Sequence, residues 1–387
     1  MDETSFQIRL IHGLADVAPQ DWNAVANPPG YPDDPFLSWE FLEALESTGC
    51  AVPEHGWAAH HLLLEAPGRG LIGAMPLYLK GHSQGEFVFD HSWADAYERA
   101  GGHYYPKLLS AVPFTPVTGR RRLVKPGPDE ARIASALLAA AVRVGDNNNL
   151  SSLHVNFVTE DEAAAMQDAG LMIRTDQQFH WHNHYYQSFD DFLAELSSAK
   201  RKNLRKERRK AQEGLTFRHI TGDDITEAHW DAFYEFYVDT GARKWGSPYL
   251  NRETFSVLGE RMADKLLLVF AEEDGMPIAG AMNVIGGERL FGRYWGTVDP
   301  RPMLHFETCY YQAIDFAIEH GLKVVEAGAQ GGHKLARGYV PETTYSAHWI
   351  AHEGLAAAID DYLDRERAAV DRESAFLRDR TPFKKDG

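Results

Sequence analysis

The hydrophobic pattern along the chain presents the same order of elements twice. In the first half, the helical pattern WEFLEALEST, for which Ser38 is the predicted N-cap, precedes two strand-like runs, AAHHLLLEA and GLIGAMPLYLKG, which the turn segment PGRG joins as a hairpin. A third strand is predicted in the aromatic run GEFVFDHSWADAY. In the second half, DKLLLVFAEEDGMPIAGAMNVIGGERLFGRYWGT has the same order of strand, turn, strand and aromatic strand. Because Gly-Ala-Met occurs in the second strand of each half, we interpret the pattern as an internal repeat.

The repeat continues beyond the aromatic strand. Each half then has a tyrosine pair, Tyr104-Tyr105 or Tyr310-Tyr311, followed by a helical pattern and a final strand, SSLHVNFV or KVVEAG. An antiparallel meander with helices before and after it predicts an α+β fold that occurs twice. We predict a first domain over residues 1–178, a second over 179–351, and a C-terminal helical extension over 352–387.

A strongly basic segment opens the predicted second domain. Residues 200–210, KRKNLRKERRK, hold eight basic residues and one acidic residue and carry +7, whereas the whole chain carries −17. Ser188 is the predicted N-cap of a helix that the basic segment continues. Lys202, Arg205 and Arg209 then share one helical face, which suits phosphates or carboxylates. The alternative is a solvated helix face with no ligand.

Composition excludes several classes of protein. An apolar fraction of 44% with 12% aromatic residues excludes a disordered chain. No apolar run approaches the roughly 20 residues that span a bilayer, and the first ten residues lack the pattern of a signal peptide, so we expect a cytoplasmic protein without a transmembrane segment. The net negative charge opposes DNA binding by the surface as a whole. The oligomeric state stays open.

The sequence offers little for a metal ion. The two cysteines, Cys50 and Cys309, form no zinc motif. His180, His182 and His184 would lie on one face of a strand, so a metal site there is an alternative, but we expect no metal.

The last predicted strand of the second half carries the candidate catalytic groups. Glu326 lies at the end of this strand, before a glycine-rich loop, and is the predicted general base. The alternative is a structural carboxylate that caps the loop or pairs with Arg293. Tyr339 is the predicted proton donor to a leaving group, or else a packed aromatic residue at a turn.

Other candidates would bind the substrate or the donor. Exposed backbone amides at Gln330 precede His333 and Lys334, and Lys334 and Arg337 are spaced to face one anion. Trp93 and Tyr105 lie in an aromatic stretch of the first half that suits a substrate pocket or a half-buried face. The remaining predicted binding residues are Arg293, Trp295 and Gly338. No nucleotide-binding loop and no nucleophile elbow is present in the sequence.

These stretches carry a family resemblance. The segment SSAKRKNLRKERRKAQEG, the antiparallel meander and the closing EAGAQGGHKLARGY resemble the second domain of FemAB/FemX-type acyltransferases. Over nearly its full length the chain is similar to the bacterial FemAB-like family, described as peptidoglycan biosynthesis or recognition proteins. The stretches that carry this similarity are FDHSWADAYERAGGHYYPKL, VPFTPVTGRR, QFHWHN, KRKNLRKERR, GRYWG, HFETCYYQAIDFAIEHG and AGAQGGHKLARGY.

The resemblance implies two tandem acetyltransferase-type (GNAT) domains and transfer of an acyl or aminoacyl group to an amine. It implies that Lys202, Arg205 and Arg209 contact a donor or a phosphorylated acceptor, and that Lys334 and Gly338 belong to a closing loop. The pyrophosphate loop of ordinary acetyl-CoA enzymes is absent as a clean motif, which counts against acetyl-CoA. The expected donor is therefore aminoacyl-tRNA or a longer acyl-CoA, and tRNA is a possible partner.

Three functions remain open at this level. The first is an N-acyltransferase that acts on a small-molecule or cell-wall-precursor amine. The second is a protein that recognises a peptidoglycan precursor without turnover. The third is an acyl-CoA-dependent enzyme that acylates a lipid amine.

Overall fold

The computed structural model describes residues 6–244, 248–328 and 332–384. The chain divides into two compact units by its internal contacts. Unit 1 comprises Met1–Asp176 and Thr343–Asp371, and unit 2 comprises Gln177–Glu342 and Arg372–Gly387. This division groups residues 343–351 with unit 1, whereas the sequence assigned them to the second domain. The predicted folding domains stay a prediction.

The described residues form fifteen strands. They are β1 (Gln7–Ile11), β2 (Trp57–Ala59), β3 (His61–Ala66), β4 (Gly70–Met75), β5 (Tyr78–Lys80), β6 (Lys107–Ser110), β7 (Leu123–Val124), β8 (Ser152–Val158), β9 (Met172–His182), β10 (Thr216–Thr221), β11 (Leu266–Glu273), β12 (Met276–Gly286), β13 (Arg289–Thr297), β14 (Val324–Glu326) and β15 (Val340–Ile350).

Twelve α-helical elements accompany them in the described part of the chain. They are α1 (Pro19–Ala26), α2 (Trp39–Ser47), α3 (His91–Arg99), α4 (Glu130–Asn147), α5 (Glu160–Asp168), α6 (Phe189–Glu195), α7 (Ser198–Ala211), α8 (Glu227–Lys244), α9 (Arg252–Met262), α10 (Leu304–Phe306), α11 (Gln312–Glu319) and α12 (Glu353–Arg378). A π-helical segment, Glu307–Tyr311, joins α10 to α11.

Unit 1 contains two groups of strands. The first is an antiparallel sheet in the order β1-β3-β4-β7, and the β3–β4 pair is the hairpin predicted from the sequence. In the second, β15 pairs antiparallel with β8, β8 pairs parallel with β6, and β5 and β2 complete the order. Leu108, Leu153 and Val155 pack with Leu137 and Leu138 of α4 in the core. One face of this second group is therefore covered by a helix.

Two predictions of local structure in unit 1 have different outcomes. The helix α2 begins where its cap predicts, because the Ser38 hydroxyl accepts a hydrogen bond from the amide of Phe41. The third strand predicted in the first half is wrong, because residues 86–90 are irregular and His91–Arg99 is a helix. Trp93 and Ala94 are buried on one side of that helix, and this helical burial overrides the alternation of aromatic residues.

Unit 2 is built on a continuous order of strands, β10-β11-β12-β13-β14, followed by residues 177–182 of β9. The pairs from β10 to β13 are antiparallel, as the predicted meander requires, whereas β13 and β14 are parallel. The parallel pairing ends at Phe291 and Glu326, although β13 continues to Thr297. The two strands therefore separate where β14 ends, and the loop that follows β14 begins at this opening.

The basic segment does not continue the preceding helix, as the sequence predicted. Ser188 caps α6 by accepting a hydrogen bond from Asp191, but α6 ends at Glu195 and α7 begins at Ser198. Between them Leu196 is extended and forms an isolated bridge to Phe383, and the amide of Ser197 donates to the carbonyl of Pro382. This non-local pairing divides the pattern into two helices.

In the described part of the chain, no helix has the length and apolar character needed to span a membrane.

Candidate functional site

The carboxylate of Glu326 is buried at the carboxyl end of β14. It accepts hydrogen bonds from Arg289 at 2.9 Å and from Arg293 at 3.4 Å, and His180 Nε2 lies 4.0 Å away. Both arginines come from the parallel neighbour β13, and His180 comes from β9. The strand register thus places three nitrogen-bearing side chains around one carboxylate.

The surroundings of Glu326 lower its basicity. Burial raises the pKa of this carboxyl, but its electrostatic interactions with His180 and with the positive charges of Arg293 and Arg289 outweigh burial and leave the pKa below its ordinary value. A carboxylate with a lowered pKa is a weaker proton acceptor. The pairing with Arg293 matches the structural alternative for Glu326, whereas its predicted role as general base stays a prediction.

Lys334 is the buried amine of the loop that follows β14. Its side chain is almost fully buried, and Nζ donates a hydrogen bond to the carbonyl of Gly328 at 2.8 Å. Burial, together with the nearby charge of Arg293, lowers the pKa of the Lys334 amine to about 7. A lysine with this pKa exchanges a proton near neutral pH, which is the behaviour required of a general acid or base.

Tyr339 follows Lys334 in the same loop. Its side chain is fully buried, and its hydroxyl has no hydrogen-bond partner among the described residues. Burial raises the pKa of the Tyr339 phenol well above its ordinary value, so the proton stays on oxygen at neutral pH. The amide of Tyr339 donates to the carbonyl of Lys334, which ties the two residues through one turn. The phenol is therefore a buried hydrogen-bond donor for which the described residues supply no acceptor.

The other charged residues of this loop are engaged with their neighbours. Arg337 donates to Glu207 at 2.9 Å and stacks on Phe306 at 3.4 Å. His333 lies 3.0 Å from the hydroxyl of Tyr310, and partial burial of its ring together with the nearby charges of Arg337 and Lys334 lowers the pKa of its imidazole. Arg337 is thus held by a carboxylate, which weakens its predicted role as an anion contact.

Two predicted binding residues, Gly338 and Trp295, lie beside aromatic rings. Gly338 has a φ of +87°, and a Cβ there would lie 2.6 Å from the ring of Phe192, so only glycine fits. Trp295 is half-buried and meets the ring of His305 edge-on, with centroids 5.1 Å apart. Gln330 lies outside the described residues. Binding by these residues remains a prediction.

The basic segment lies on α7, whose two faces differ. The inner face is held in unit 2: Arg208 binds Glu307 and Asp315, and Glu207 accepts from Tyr311 at 2.6 Å. The outer face carries the predicted anion contacts Lys202, Arg205 and Arg209, all exposed. They line a depression of about 410 Å³ together with Ser198, Arg201, Asn203 and Lys206.

Arg205 has one partner on this outer face, a hydrogen bond of 2.8 Å to the exposed carboxylate of Asp190. Such an exposed pair contributes roughly 1 kcal/mol or less, so it leaves Arg205 available to a phosphate. The outer face of α7 is therefore a cationic surface on a rigidly anchored helix.

Trp93 and Tyr105 belong to unit 1. Trp93 is buried, with its ring centroid 5.0 Å from that of His348, and Tyr105 is half-buried, with its hydroxyl 2.8 Å from that of Ser83. They lie in a buried polar cluster of that unit. Their predicted role in substrate binding remains untested.

Sequence reasoning missed Arg289 and Glu207. Arg289 lies in a turn-like stretch, GGERLF, and Glu207 is the one acid within the basic segment. The isolated acid among eight cations was a usable signal, because it had to face a different environment from its neighbours. Among the described residues, no group of histidine, cysteine and acidic side chains could hold a metal ion.

Comparison with known families gives a match over nearly the whole chain. A family model named FemAB-like, described as peptidoglycan biosynthesis/recognition, matches residues 13–385. No sequence among the curated proteins matches the chain.

Solved structures share the fold at low sequence identity. The crystal structure of FemX is 13% identical with a TM-score of 0.55, and the match covers 91% of this chain and 100% of that one. L-PGS from Bacillus licheniformis is 12% identical with a TM-score of 0.50, covering 84% of this chain and 95% of that one. A conserved protein of unknown function from Bacteroides thetaiotaomicron is 12% identical with a TM-score of 0.50, covering 88% and 99%.

At these identities the likeness concerns the fold alone. It confirms the predicted α+β class of two tandem GNAT-like domains of mainly antiparallel sheet, with a C-terminal helix.

Proposed function

The chain belongs to the FemAB-like family, and from this membership we propose that it is an N-acyltransferase that moves an acyl or aminoacyl group from an activated donor to an amine. The family and the fold point to an acyltransferase. The observation that carries the proposal is that one loop of unit 2 holds both a candidate proton acceptor and a candidate proton donor. Lys334 presents a buried amine, and Tyr339 presents a buried phenol without a partner among the described residues.

In the proposed reaction, the nitrogen of the acceptor amine attacks the carbonyl carbon of an ester or thioester. The neutral amine of Lys334 accepts the proton that the attacking nitrogen loses, because a pKa of about 7 leaves much of it unprotonated at neutral pH. The new C–N bond forms as the C–O or C–S bond breaks, and Tyr339 gives its proton to the leaving oxygen or sulfur. Backbone amides of unit 2 stabilise the oxyanion formed on the way.

This assignment moves the base from Glu326 to Lys334. The charges of Arg289 and Arg293 lower the pKa of Glu326, so this carboxylate stays unprotonated. The amine of Lys334, in contrast, exchanges its proton near neutral pH. Glu326 then acts as a positioning residue that fixes the two arginines beside the loop. An aminoacyl ester is already activated, so correct positioning supplies much of the rate in addition to proton transfer.

The donor is proposed to be a phosphate-bearing molecule, an aminoacyl-tRNA or an acyl-CoA. The support is the outer face of α7, where Lys202, Arg205 and Arg209 line one depression. Guanidinium and ammonium groups spaced along a helix suit successive phosphates. The proposed acceptor is an amine of a cell-wall precursor, as the family description suggests. Acylation of a lipid amine is the less favoured alternative, because this depression is lined by polar residues.

Recognition of a precursor without turnover is the second candidate. The ion pairs that neutralise Glu326 favour it, because they leave the site without its predicted carboxylate base. Under this alternative no product forms, whatever the protonation state of Lys334.

A donor screen tests the proposal. The purified chain is incubated with tRNA charged with labelled amino acids, with acetyl-CoA and with a long-chain acyl-CoA, each with a lysine-containing cell-wall precursor and with an aminolipid. We expect label on the acceptor nitrogen with one donor, and its loss in Lys334→Met. The matched control is Lys323→Met, because Lys323 is an exposed lysine of the same unit that pairs with Glu288 at the surface. Precursor binding without product from any donor would support the recognition alternative.

A further inference from the structure

A buried face of the unit 1 sheet is polar rather than apolar. On β8, Ser152, His154 and Asn156 alternate along the strand and so share one face. Their partners on β15 include Ser346, opposite Asn156, and His348, opposite His154. All five side chains are at most 4% exposed. Buried sheet faces are usually apolar, so a polar face of this size indicates a specific role.

Hydrogen bonds join four of these side chains, those of Ser152, His154, His348 and Ser346, into one network. The Nδ1 atoms of His154 and His348 lie 2.7 Å apart, so one proton lies between the two rings. His154 Nε2 contacts Ser152 at 2.8 Å, and His348 Nε2 contacts Ser346 at 2.9 Å. Burial lowers the pKa of both imidazoles, so both are neutral. The histidine pair therefore adds hydrogen-bonding capacity but no charge.

The network continues into a group of charged side chains that contains as many lysines as carboxylates. Fully buried Lys107 donates to Glu86 at 2.8 Å and also to Asp90. Lys80 Nζ lies 3.9 Å from Glu86 and 3.5 Å from the ring centroid of Trp57. Two lysines thus face two carboxylates in a region that excludes water. A ligand with a net charge would upset this balance and meet a large desolvation cost.

Several polar atoms of this cluster remain without a hydrogen-bond partner in the described part of the chain. They are Glu86 Oε1, Asp90 Oδ1, Trp93 Nε1 and both amide atoms of Asn156. The four residues are at most 4% exposed. Each such atom costs about 1 to 3 kcal/mol when it is buried without a partner. Three acceptors and two donors in one cluster indicate that another molecule completes their hydrogen bonds.

We propose that this polar cluster of unit 1 binds a small, neutral ligand that presents hydroxyl or amide groups. Such groups donate to the free carboxylate oxygens of Glu86 and Asp90 and accept from Trp93, while Asn156 both donates and accepts. A neutral ligand leaves the balance of lysines and carboxylates undisturbed. The site is separate from the transfer reaction proposed for unit 2 and does not depend on it.

A nucleophilic role for the same cluster is excluded by its charge. Lys107 donates to the hydroxyl of Ser83 at 2.8 Å, which resembles a serine–lysine pair. Burial would lower the pKa of the Lys107 amine, but Glu86 and Asp90 raise it above its ordinary value. Lys107 is therefore fully protonated and cannot take the serine proton. Binding is the function that the cluster supports.

The irregular segment 81–90 covers the cluster and supplies Glu86 and Asp90. Within it, Phe87 has a φ of +59°, which is strained for an aromatic residue, and Phe89 is 52% exposed. Its attachment to β9 includes a hydrogen bond of 2.7 Å from Arg174 to the carbonyl of Phe89. A segment with a strained residue and an exposed aromatic ring is the route by which a ligand enters the cluster.

Isothermal titration of the full chain, without any acyl donor, tests the proposal. Glucose and N-acetylglycinamide represent the hydroxyl and amide forms of the ligand. Glucuronate, glucosamine and N-acetylglycine are their charged counterparts. We expect saturable binding of one neutral probe and at least tenfold weaker binding of its charged counterpart.

Two variants place that binding in the cluster. Trp93→Phe removes the free N–H and keeps a ring, and Asn156→Leu replaces both free amide atoms with methyl groups on a side chain of the same branched shape. Each is expected to weaken binding of the neutral probe at least tenfold while leaving the unfolding midpoint unchanged or raised, because a buried unpaired polar atom is removed. Asn147→Leu, on the exposed end of α4, is the matched control and should bind normally.

The proposal is overturned if neither neutral probe binds at millimolar concentration, or if both variants bind as the unaltered chain does. A crystal structure that shows only ordered water on these atoms after soaking with both probes would also overturn it. Because no donor is present, these outcomes are independent of whether the chain transfers acyl groups.

Discussion

The guanidinium of Arg208 forms a forked ion pair with the buried carboxylate of Glu307. Nη2 lies 2.8 Å and Nε 3.1 Å from the two carboxylate oxygens, and a second hydrogen bond from Nη2 reaches Asp315 at 2.6 Å. Burial lowers the pKa of Arg208, but its hydrogen bonds to these two carboxylates raise it above the ordinary value. One residue of the basic segment thus anchors the helix α7 to the helical segment after β13.

Arg208→Met should therefore destabilise the protein much more than the same change at its neighbour. Removal of Arg208 leaves the fully buried carboxylate of Glu307 with hydrogen bonds from Gln212 and Gln312 but without the positive charge of Arg208, which costs about 3 to 5 kcal/mol. Arg209→Met, on the exposed face, should change the free energy of unfolding by about 0.5 kcal/mol or less. Urea denaturation of the two variants measures the difference, and equal effects would contradict the anchoring role.

The reaction should depend on pH through Lys334. Because the proposed base is the unprotonated amine, kcat/KM should be low below the pKa of about 7 and rise as the pH passes through it. Lys334→Met should lower kcat by about 10² to 10⁴ and flatten this rise. A rate that falls as the pH increases through 7 would mean that the protonated lysine is the active form.

Glu326→Gln should lower stability more than activity. Because its folded-state pKa lies below the ordinary value of 4.5, the carboxylate contributes stability above that value and loses the contribution as the pH falls through the folded pKa. At pH 7 the variant should lose about 3 kcal/mol, since removal of the carboxylate charge breaks the buried ion pair between Arg293 and Glu326. Denaturation at pH 7 and at pH 3 should show the difference shrinking in acid.

Transfer by the folded Glu326→Gln variant should stay within about tenfold of the unaltered rate, because general base catalysis is assigned to Lys334. A loss as large as that of Lys334→Met would return the role of base to Glu326.

Gly338→Ala should be more disruptive than alanine at another left-handed glycine. Gly338 and Gly214 have φ values of +87° and +72°, but only at Gly338 would a Cβ collide with a buried ring, Phe192. We expect a cost of about 1 kcal/mol at Gly214 and about 3 kcal/mol or more at Gly338. Thermal unfolding of both variants separates the backbone strain from the collision. Similar midpoints would show that Phe192 can move aside.

The outer face of α7 should bind polyanions in a salt-dependent way. If charged tRNA is the donor, replacing Lys202, Arg205 and Arg209 with alanine should weaken its binding and reduce the slope of log affinity against log salt by about 2. Filter binding at several salt concentrations measures the slope. The control is Lys384→Ala, which removes a cation of unit 2 outside this face. An unchanged slope would remove tRNA binding from this face.

The repeated pattern of strands and turns predicted the hairpin β3–β4, the meander from β11 to β13 and the long terminal helix α12, because these elements follow from local periodicity. It failed where distant residues intervened. The basic segment appeared to continue α6 until the pairing of Leu196 with Phe383, far along the chain, interrupted the helix. Residues 86–90 appeared to form a strand, but they lie in the segment that covers the polar cluster of unit 1.

The same limit applies to the candidate site. The sequence identified Glu326, Lys334 and Tyr339 as chemically capable residues, and it raised the possibility that Glu326 pairs with Arg293. It did not indicate which of them exchanges a proton near neutral pH, because a pKa depends on burial and on charges brought close by folding.

By itself the sequence determined the hairpin β3–β4, the meander from β11 to β13, the caps at Ser38 and Ser188, the cationic face of the basic segment and the family. These depend on neighbouring residues, whose spacing is preserved in any fold. The tertiary structure decided that Arg208 faces inward to Glu307, 99 residues away, and that Asn156 keeps two unpaired amide atoms in a polar cluster. Partners distant in sequence and exclusion of water arise only when the chain is packed, so no local pattern specifies them.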